Sequence, residues 1–193
     1  MRAVLVPVKA FTDAKARLAP ALDGAARAAL ARTMATRVVA AAAPLPVTVV
    51  CDDDDVAAWA GSVGADVVWA PARGLNGAVA DGVQALAARG VTRVVVAHAD
   101  LPLASGLAAL AGDDGFGDGV TIVPDRHGDG TNVLVLPTRS GFRFAYGPGS
   151  CAAHVAEAGR LGLPVTLVES TALGWDVDVP ADLAFPAPEP LCS

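Results

Sequence analysis

Three carboxylates stand where the chain could hold a hard cation. Asp100 ends the run Val94-Val-Val-Ala-His-Ala-Asp-Leu-Pro102. A continuous Val run reads as a strand buried on both faces, and in an open parallel sheet ligands collect at the carboxyl ends of such strands. A carboxylate at that rim is either the N-cap of the next helix or an oxygen ligand for a cation. Asp176 and Asp178, in Gly174-Trp-Asp-Val-Asp-Val-Pro180, share one side of an extended segment by period-two spacing. Like charges that close repel unless a cation lies between them, so the pair reads as a divalent-metal arm, the alternative being a solvated edge. Mg²⁺ takes oxygen ligands and keeps some waters, so Asp100, Asp176 and Asp178 would leave room for phosphate oxygens.

Groups suited to anions accompany them. Lys9-Ala-Phe-Thr-Asp-Ala-Lys-Ala-Arg-Leu-Ala-Pro20 carries Lys9, Lys15 and Arg17 straight after the first apolar run. It is either a solvated turn or a phosphate-gripping loop. Without the glycines of a P-loop or a dinucleotide fingerprint, it is neither of those motifs. In Tyr146-Gly-Pro-Gly-Ser150, glycines bracket a proline with Ser150 at a helix cap, which would aim free backbone N–H groups at one point. An anion fits there; an ordinary capped helix with a tight entry has the same composition. Gly74-Leu-Asn76-Gly77 suits a base or ribose contact or a plain turn. Of the acidic run Asp52 to Asp55, most reads as helix capping, with Asp52 the one member facing a ligand.

Together these form a site for a nucleoside triphosphate and a second anion. Lys9, Lys15 and Arg17 would neutralise the triphosphate and the departing pyrophosphate. A phosphate monoester at Gly147 to Ser150 would attack the α-phosphorus in line. It needs no general base, because a phosphate with second pKa near 6 is already mostly ionised at neutral pH.

The elements that must position these groups alternate. Strands are expected at 3–8, 47–50, 66–69, 93–97, 120–123, 133–136 and 165–168, with helices at 23–43, 56–63, 78–89, 103–110 and 151–161. The strands at 120–123 and 133–136 follow one another with only a loop between, which predicts an antiparallel insertion in a mixed, mostly parallel sheet. Residues 112–119 form a Gly/Asp loop expected to be mobile at its tip. The Pro-rich tail 186–193 is expected to be poorly ordered, leaving 1–185 as one domain.

Composition bounds the function. The 193 residues are 53% hydrophobic, enough for one domain with a sizeable aliphatic core. A net charge of -6 argues against a nucleic-acid surface. No uninterrupted run of about 18 apolar residues suggests a membrane span, and the start leads directly into a strand, so a cytoplasmic protein is expected. Cys51, Cys151 and Cys192 fit no disulfide or zinc spacing, and His98, His127 and His154 are scattered.

The ordered set Lys9 to Pro20, Gly74-Leu-Asn76, Ala99-Asp-Leu-Pro102, Gly130-Thr-Asn132, Tyr146-Gly-Pro-Gly-Ser150 and Asp176-Val-Asp178 resembles the guanylyltransferases of deazaflavin-coenzyme biosynthesis. That family joins GTP to phosphoenolpyruvate or 2-phospho-L-lactate and releases pyrophosphate. The resemblance runs from about Ala3 to Leu183. It implies a three-layer, Rossmann-like α/β fold of the GT-A-like nucleotidyltransferase type, with Mg²⁺ at Asp100, Asp176 and Asp178. It also implies an acceptor held by Gly147, Gly149, Ser150 and one of Thr131 and Asn132, and a nucleotide near Asn76 and Asp52. Guanine specificity comes from the resemblance alone. A GC-rich composition favours phosphoenolpyruvate, the acceptor of most of the bacterial branch, over 2-phospho-L-lactate or 3-phosphoglycerate. A downstream transferase of coenzyme biosynthesis is the implied protein partner. The competing readings are a molybdopterin or sugar-phosphate acceptor, disfavoured because Lys9-Ala-Phe-Thr lacks the expected glycines, and an inactive binding protein of the same fold.

Overall fold

The computed structural model describes residues 1–112 and 119–184. The tip of the Gly/Asp loop and the Pro-rich tail, about which the sequence made expectations, lie outside these described residues.

Seven strands form one sheet: β1 (Arg2–Pro7), β2 (Val47–Cys51), β3 (Asp66–Trp69), β4 (Arg93–Ala97), β5 (Val120–Pro124), β6 (Thr131–Pro137) and β7 (Val165–Leu167), in the order β3-β2-β1-β4-β6-β5-β7. All neighbours pair in parallel except β6, which runs antiparallel to both β4 and β5. The expected antiparallel insertion is therefore a single reversed strand. The order turns outward from β1 in both directions, so the crevice beyond the carboxyl ends of β1 and β4 is a topological switch point.

Strand alternation builds two cores. Val4, Val6, Val49, Val95, Val133 and Val135 face a layer holding α1 (Gly24–Ala41) and α2 (Asp54–Ser62). Leu5, Val94, Val96, Ile122, Leu134 and Leu136 face α3 (Gly74–Ala88) and α5 (Ser150–Arg160) on the other side. Asp23 caps α1 by accepting from Ala26 N at 2.8 Å, and Asp53 caps α2 by accepting from Val56 N at 2.9 Å. The capping reading of the acidic run thus holds for Asp53, with Asp54 and Asp55 in the first turn where they complement the helix dipole.

Three expectations need correction. Gly74 to Gly77 is the first turn of α3 rather than a loop leading into it. The helix after Asp100 is only α4 (Leu107–Leu110), with Gly106 at its N-cap, so Asp100 caps nothing. Residue Gly149, not Ser150, is the N-cap of α5. A further short helix, α6 (Thr171–Gly174), precedes the Asp176 arm.

Gly82 sets how closely α3 approaches β1: a Cβ there would lie 2.8 Å from both Leu5 methyl carbons. Gly82→Val should therefore lower unfolding stability by about 2 kcal/mol through overpacking. Urea unfolding checks it, and an unchanged midpoint would mean that α3 is free to shift outward.

Candidate functional site

The basic loop is anchored at both ends by apolar side chains. Phe11 packs edge-on against Trp59, ring centroids 5.3 Å apart, with the Arg32 guanidinium 4.6 Å from its ring centre. Leu18 is fully buried with Met34 and Val177, the residue between Asp176 and Asp178. One small cluster therefore fastens the basic loop to the carboxylate arm, 159 positions away by the residue numbers of Leu18 and Val177.

Between these anchors Lys15 adopts a left-handed backbone, φ 58° and ψ 37°. Such a conformation costs a residue with a Cβ roughly 1–2 kcal/mol. Its Nζ reaches Asp100 Oδ2 at 2.6 Å and Asp178 Oδ1 at 3.0 Å. Burial alone would lower the Lys15 pKa, but the two carboxylates outweigh it and raise the value above its ordinary one. Burial would likewise raise Asp100, and the Lys15 ammonium overcomes it and holds the carboxyl below the usual range. Both groups are thus charged in the folded protein at neutral pH.

Asp176 completes the group of carboxylates. Its pKa is raised, first by burial and then by the negative charges of Asp100 and Asp178. The Val177 N–H donates to the Asp100 carbonyl at 3.2 Å, which docks the arm beside the end of β4, while the Asp178 side chain stays half exposed. Lys9, Lys15, His98 and Asp100 line a cavity of about 270 Å³ over the switch point, together with Phe11 and Leu75. Arg17 is exposed and does not line it. Exposed Asp52 lines a smaller adjoining hollow at the end of β2, shared with Lys9 and Gly74.

Among the described residues no three His, Cys, Asp or Glu side chains are already gathered into a metal cage. The donor set nevertheless fits a hard cation. Asp100 Oδ1 is buried without a hydrogen-bond partner, and an ammonium already bridges Asp100 and Asp178. Asp100, Asp176 and Asp178 are the residues that could hold Mg²⁺.

The expected anion site is built differently from the sequence reading. Gly147 and Gly149 have φ of 134° and 72°, so glycine is required at both. The N–H groups at the start of α5 are not free, however: Gly149 N donates to Asp129 Oδ2 at 3.0 Å, Ser150 N to the Gly147 carbonyl at 3.1 Å and Cys151 N to the Asp129 carbonyl at 3.0 Å. Asp129 thus satisfies the helix entry, and an incoming anion would have to displace its carboxylate. Ser150 is only 2% exposed.

Thr131, Asn132 and Asn76 are knit into the scaffold. Asn132 donates its amide to the Leu173 carbonyl at 3.0 Å. Asn76 Oδ1 accepts the Tyr146 N–H at 2.7 Å, tying α3 to the turn before α5. The Ala145 N–H donates to His154 Nε2 at 3.1 Å, so the ring proton sits on Nδ1 and is donated to Thr131 Oγ1 at 3.0 Å. Thr131 accepts from His154, which leaves its own hydroxyl proton to point elsewhere.

His98, Asp129, Tyr146 and His154 carry much of this geometry, with Arg126 and Asp182 paired beside the Asp176 arm, and none of them was assigned such a role from the sequence. Two signals bore on them. Pro180-Ala-Asp182 has the composition of a helix start, with Pro first and an acid at the third position. The Asp125 to Gly130 loop alternates acids with glycines as turns that bond their own backbone do, and Asp125 indeed accepts from His127, Asp129 and Gly130 N–H groups.

The reversed β6, the switch-point cavity and the carboxylate group belong to a nucleotidyltransferase fold of the GT-A-like type. A nucleotide-diphospho-sugar transferase so described from Desulfovibrio desulfuricans G20 superposes with a TM-score of 0.77 at 20% identity, covering 94% of this chain and 84% of that one. A nucleotidyl transferase from Methanothermobacter superposes with a TM-score of 0.65 at 16% identity, covering 95% and 94%. The chain belongs to the family described as "Guanylyl transferase CofC like", whose model matches residues 1–185. Among its relatives is a phosphoenolpyruvate guanylyltransferase from Conexibacter woesei, 39% identical over 187 residues, with 93% of this chain and 84% of the relative covered. Another of the same name, from Rubrobacter xylanophilus, is 37% identical over 185 residues, with 93% and 90% covered.

Lys15→Met would leave three carboxylates facing one another without their ammonium, whereas Asp100→Ala leaves Lys15 paired with Asp178. Without divalent metal, Lys15→Met should therefore be the more destabilising, by about 2 kcal/mol relative to wild type. Urea unfolding in chelator tests the ranking, and the reverse order would show that the ion pair does not hold the loop.

His154 gives a pH prediction. Burial, then the neighbouring His98, push its pKa from 6.5 down to about 4. The unfolded chain takes up a proton near 6.5 that the folded chain refuses until about 4, so the neutral ring contributes stability above 6.5 that is lost as pH falls from 6.5 toward 4. Stability should fall more gently in His154→Gln across that window, by up to about 1.4 kcal/mol per pH unit. Parallel slopes in urea unfolding at pH 7 and 5 would refute it.

Proposed function

We propose that the chain transfers GMP from GTP to the phosphate of phosphoenolpyruvate, giving enolpyruvyl-diphospho-guanosine and pyrophosphate. The observation that carries this reading is the ammonium of Lys15 bridging Asp100 and Asp178 at the mouth of the switch-point cavity. Carboxylates suited to a cation and a lysine suited to phosphate are thus in direct contact. Relatives 37–39% identical over most of the chain are named phosphoenolpyruvate guanylyltransferases, which supports the choice of nucleotide and acceptor.

A phosphate oxygen of the acceptor attacks the α-phosphorus, the bond to the β-phosphate oxygen breaks, and pyrophosphate leaves with that electron pair. The attacking phosphate is already ionised, so no side chain need remove a proton. Lys9 and Lys15, lining the cavity, and Arg17, on the same loop, would meet the negative charge of the triphosphate and leaving group. Mg²⁺ held by Asp100, Asp176 and Asp178 would supply charge neutralisation to the phosphate oxygens.

Asp52, a pure acceptor at the end of β2, matches the paired N–H donors of guanine. Asn76 positions this edge of the site through its bonds to Tyr146 rather than by a free amide. Thr131, Asn132, Gly147, Gly149 and Ser150 surround the acceptor position, with Asp129 yielding the helix entry to the incoming phosphate. 2-Phospho-L-lactate and 3-phosphoglycerate remain the alternative acceptors, since a pocket separates methylene-sized differences by only about 1–3 kcal/mol. Small soluble substrates suit a cytoplasmic reaction, and no helix among the described residues is long and apolar enough to cross a membrane. A second transferase would take the activated product.

Purified protein with Mg²⁺, each of the four nucleoside triphosphates and each acceptor should release pyrophosphate only with GTP and, fastest, phosphoenolpyruvate. No pyrophosphate in any combination refutes the reading. Asp100→Ala should lower turnover by about 10²–10³-fold while the far-ultraviolet circular dichroism stays native. An unfolded variant under assay conditions would mark Asp100 as structural.

A further inference from the structure

We propose that Asp182, acting with Arg126, is the positioning residue that sets the Asp176-Val177-Asp178 arm in its working conformation. The proposal rests on the reading of that arm as the cation- and phosphate-facing part of the site.

Asp182 is an unusual place to find a charge: it is 3% exposed. A carboxylate so buried must be fully bonded, and it is. Oδ2 accepts the N–H of Asp178 at 2.7 Å and of Val179 at 2.8 Å. Oδ1 takes the Arg126 guanidinium in a short contact. The second guanidinium nitrogen of Arg126 donates to the Asp176 carbonyl at 3.0 Å, and the Arg126 backbone N–H donates to the Gly174 carbonyl at 2.8 Å. The Cζ of the guanidinium lies 4.5 Å from the centre of the Trp175 ring, whose Nε1 donates back to the Asp182 carbonyl at 3.2 Å.

Each anchor fixes a different point of the arm. The carbonyl of Asp176 is held by Arg126, and the N–H of Asp178 by Asp182. The N–H of Val177 is held by the Asp100 carbonyl, and its fully buried side chain by Leu18 and Met34. The tripeptide crosses no strand or helix, so regular hydrogen bonding does not fix it. Its two carboxylates are therefore aimed by bonds to side chains, chiefly those of one aspartate and one arginine, and the Arg126 guanidinium also lies 3.7 Å from Asp176 Oδ1. A carboxylate serves at position 182 because its two oxygens are acceptors only. An amide of the same size would turn a donor toward either the guanidinium or the two backbone N–H groups.

The test compares wild type, Asp182→Asn and Arg126→Lys by Mn²⁺ binding to the GTP-free protein, read from the free-Mn²⁺ electron paramagnetic resonance signal, and by hydrogen exchange of residues 176–179. Steady-state constants for both substrates follow at saturating metal. Asp182→Asn should weaken Mn²⁺ at least tenfold, abolish exchange protection at Asp178 and Val179, and lower kcat more than it raises either KM. Arg126→Lys keeps Asp182's two backbone bonds and the positive charge beside Asp176 Oδ1 but loses the fork that holds Asp182 and the Asp176 carbonyl at once, and should show the same changes to a smaller degree, about threefold in Mn²⁺ affinity. It keeps the question answerable if Asp182→Asn does not fold. Native Mn²⁺ affinity and kcat in both folded variants overturn the proposal, as does a loss of binding that only matches the unfolded fraction. If wild type itself binds no Mn²⁺, the metal reading of the arm falls; exchange protection still lost in Asp182→Asn would then show an anchor that is structural alone.

Discussion

Three carboxylates converge at the end of β4, and their mutual repulsion is the constraint to which the surrounding structure answers. The Lys15 ammonium meets it, bonded to Asp100 and Asp178 at once. That bond holds the loop after β1 against the Asp176 arm, and the two carboxylates outweigh the effect of burial on the Lys15 ammonium. The strain at Lys15 is the kind found where geometry serves a site rather than a fold. A hard cation bound between these carboxylates would take over the role of the ammonium and leave Lys15 to a phosphate.

The scaffold makes this convergence possible by topology. β1 and β4 are neighbours in the sheet, so the loop after one and the carboxylate after the other open onto the same crevice. Reversed β6 lies beside β4 and starts at Thr131 and Asn132, which places its first residues at the rim where the parallel strands end. The Asp176 arm then closes the third side, docked through Val177 on Leu18 and Met34. Apolar packing thus sets the distance between groups whose charges alone would drive them apart.

Around this centre, buried polar groups act as struts. His154 joins Ala145 to Thr131, Asn132 reaches Leu173, Asn76 holds Tyr146, and Asp129 fills the start of α5. Several residues expected to touch ligand directly therefore do their first work on the backbone. Such fully bonded networks hold a site's geometry because leaving any one member unpaired in the interior is costly.

What the sequence determined by itself was local. The Val runs specified the strands, the Asp and Gly punctuation specified caps and turns, and the antiparallel insertion followed from two strands too close in sequence for a crossover helix. Asp100 and Lys9 were legible as candidates because each follows the end of a strand that hydrophobic pattern alone identifies, and Asp176 and Asp178 because of their period-two spacing. The tertiary structure decided which partners these groups keep. That Asp100 caps no helix, that Lys15 rather than Arg17 meets the carboxylates, that Asp129 occupies the α5 entry and that Asp182 aims the arm all depend on contacts between residues far apart in the chain. Propensity and spacing act over a few residues, whereas a buried charge takes its partner from whatever the packed elements bring within hydrogen-bonding distance.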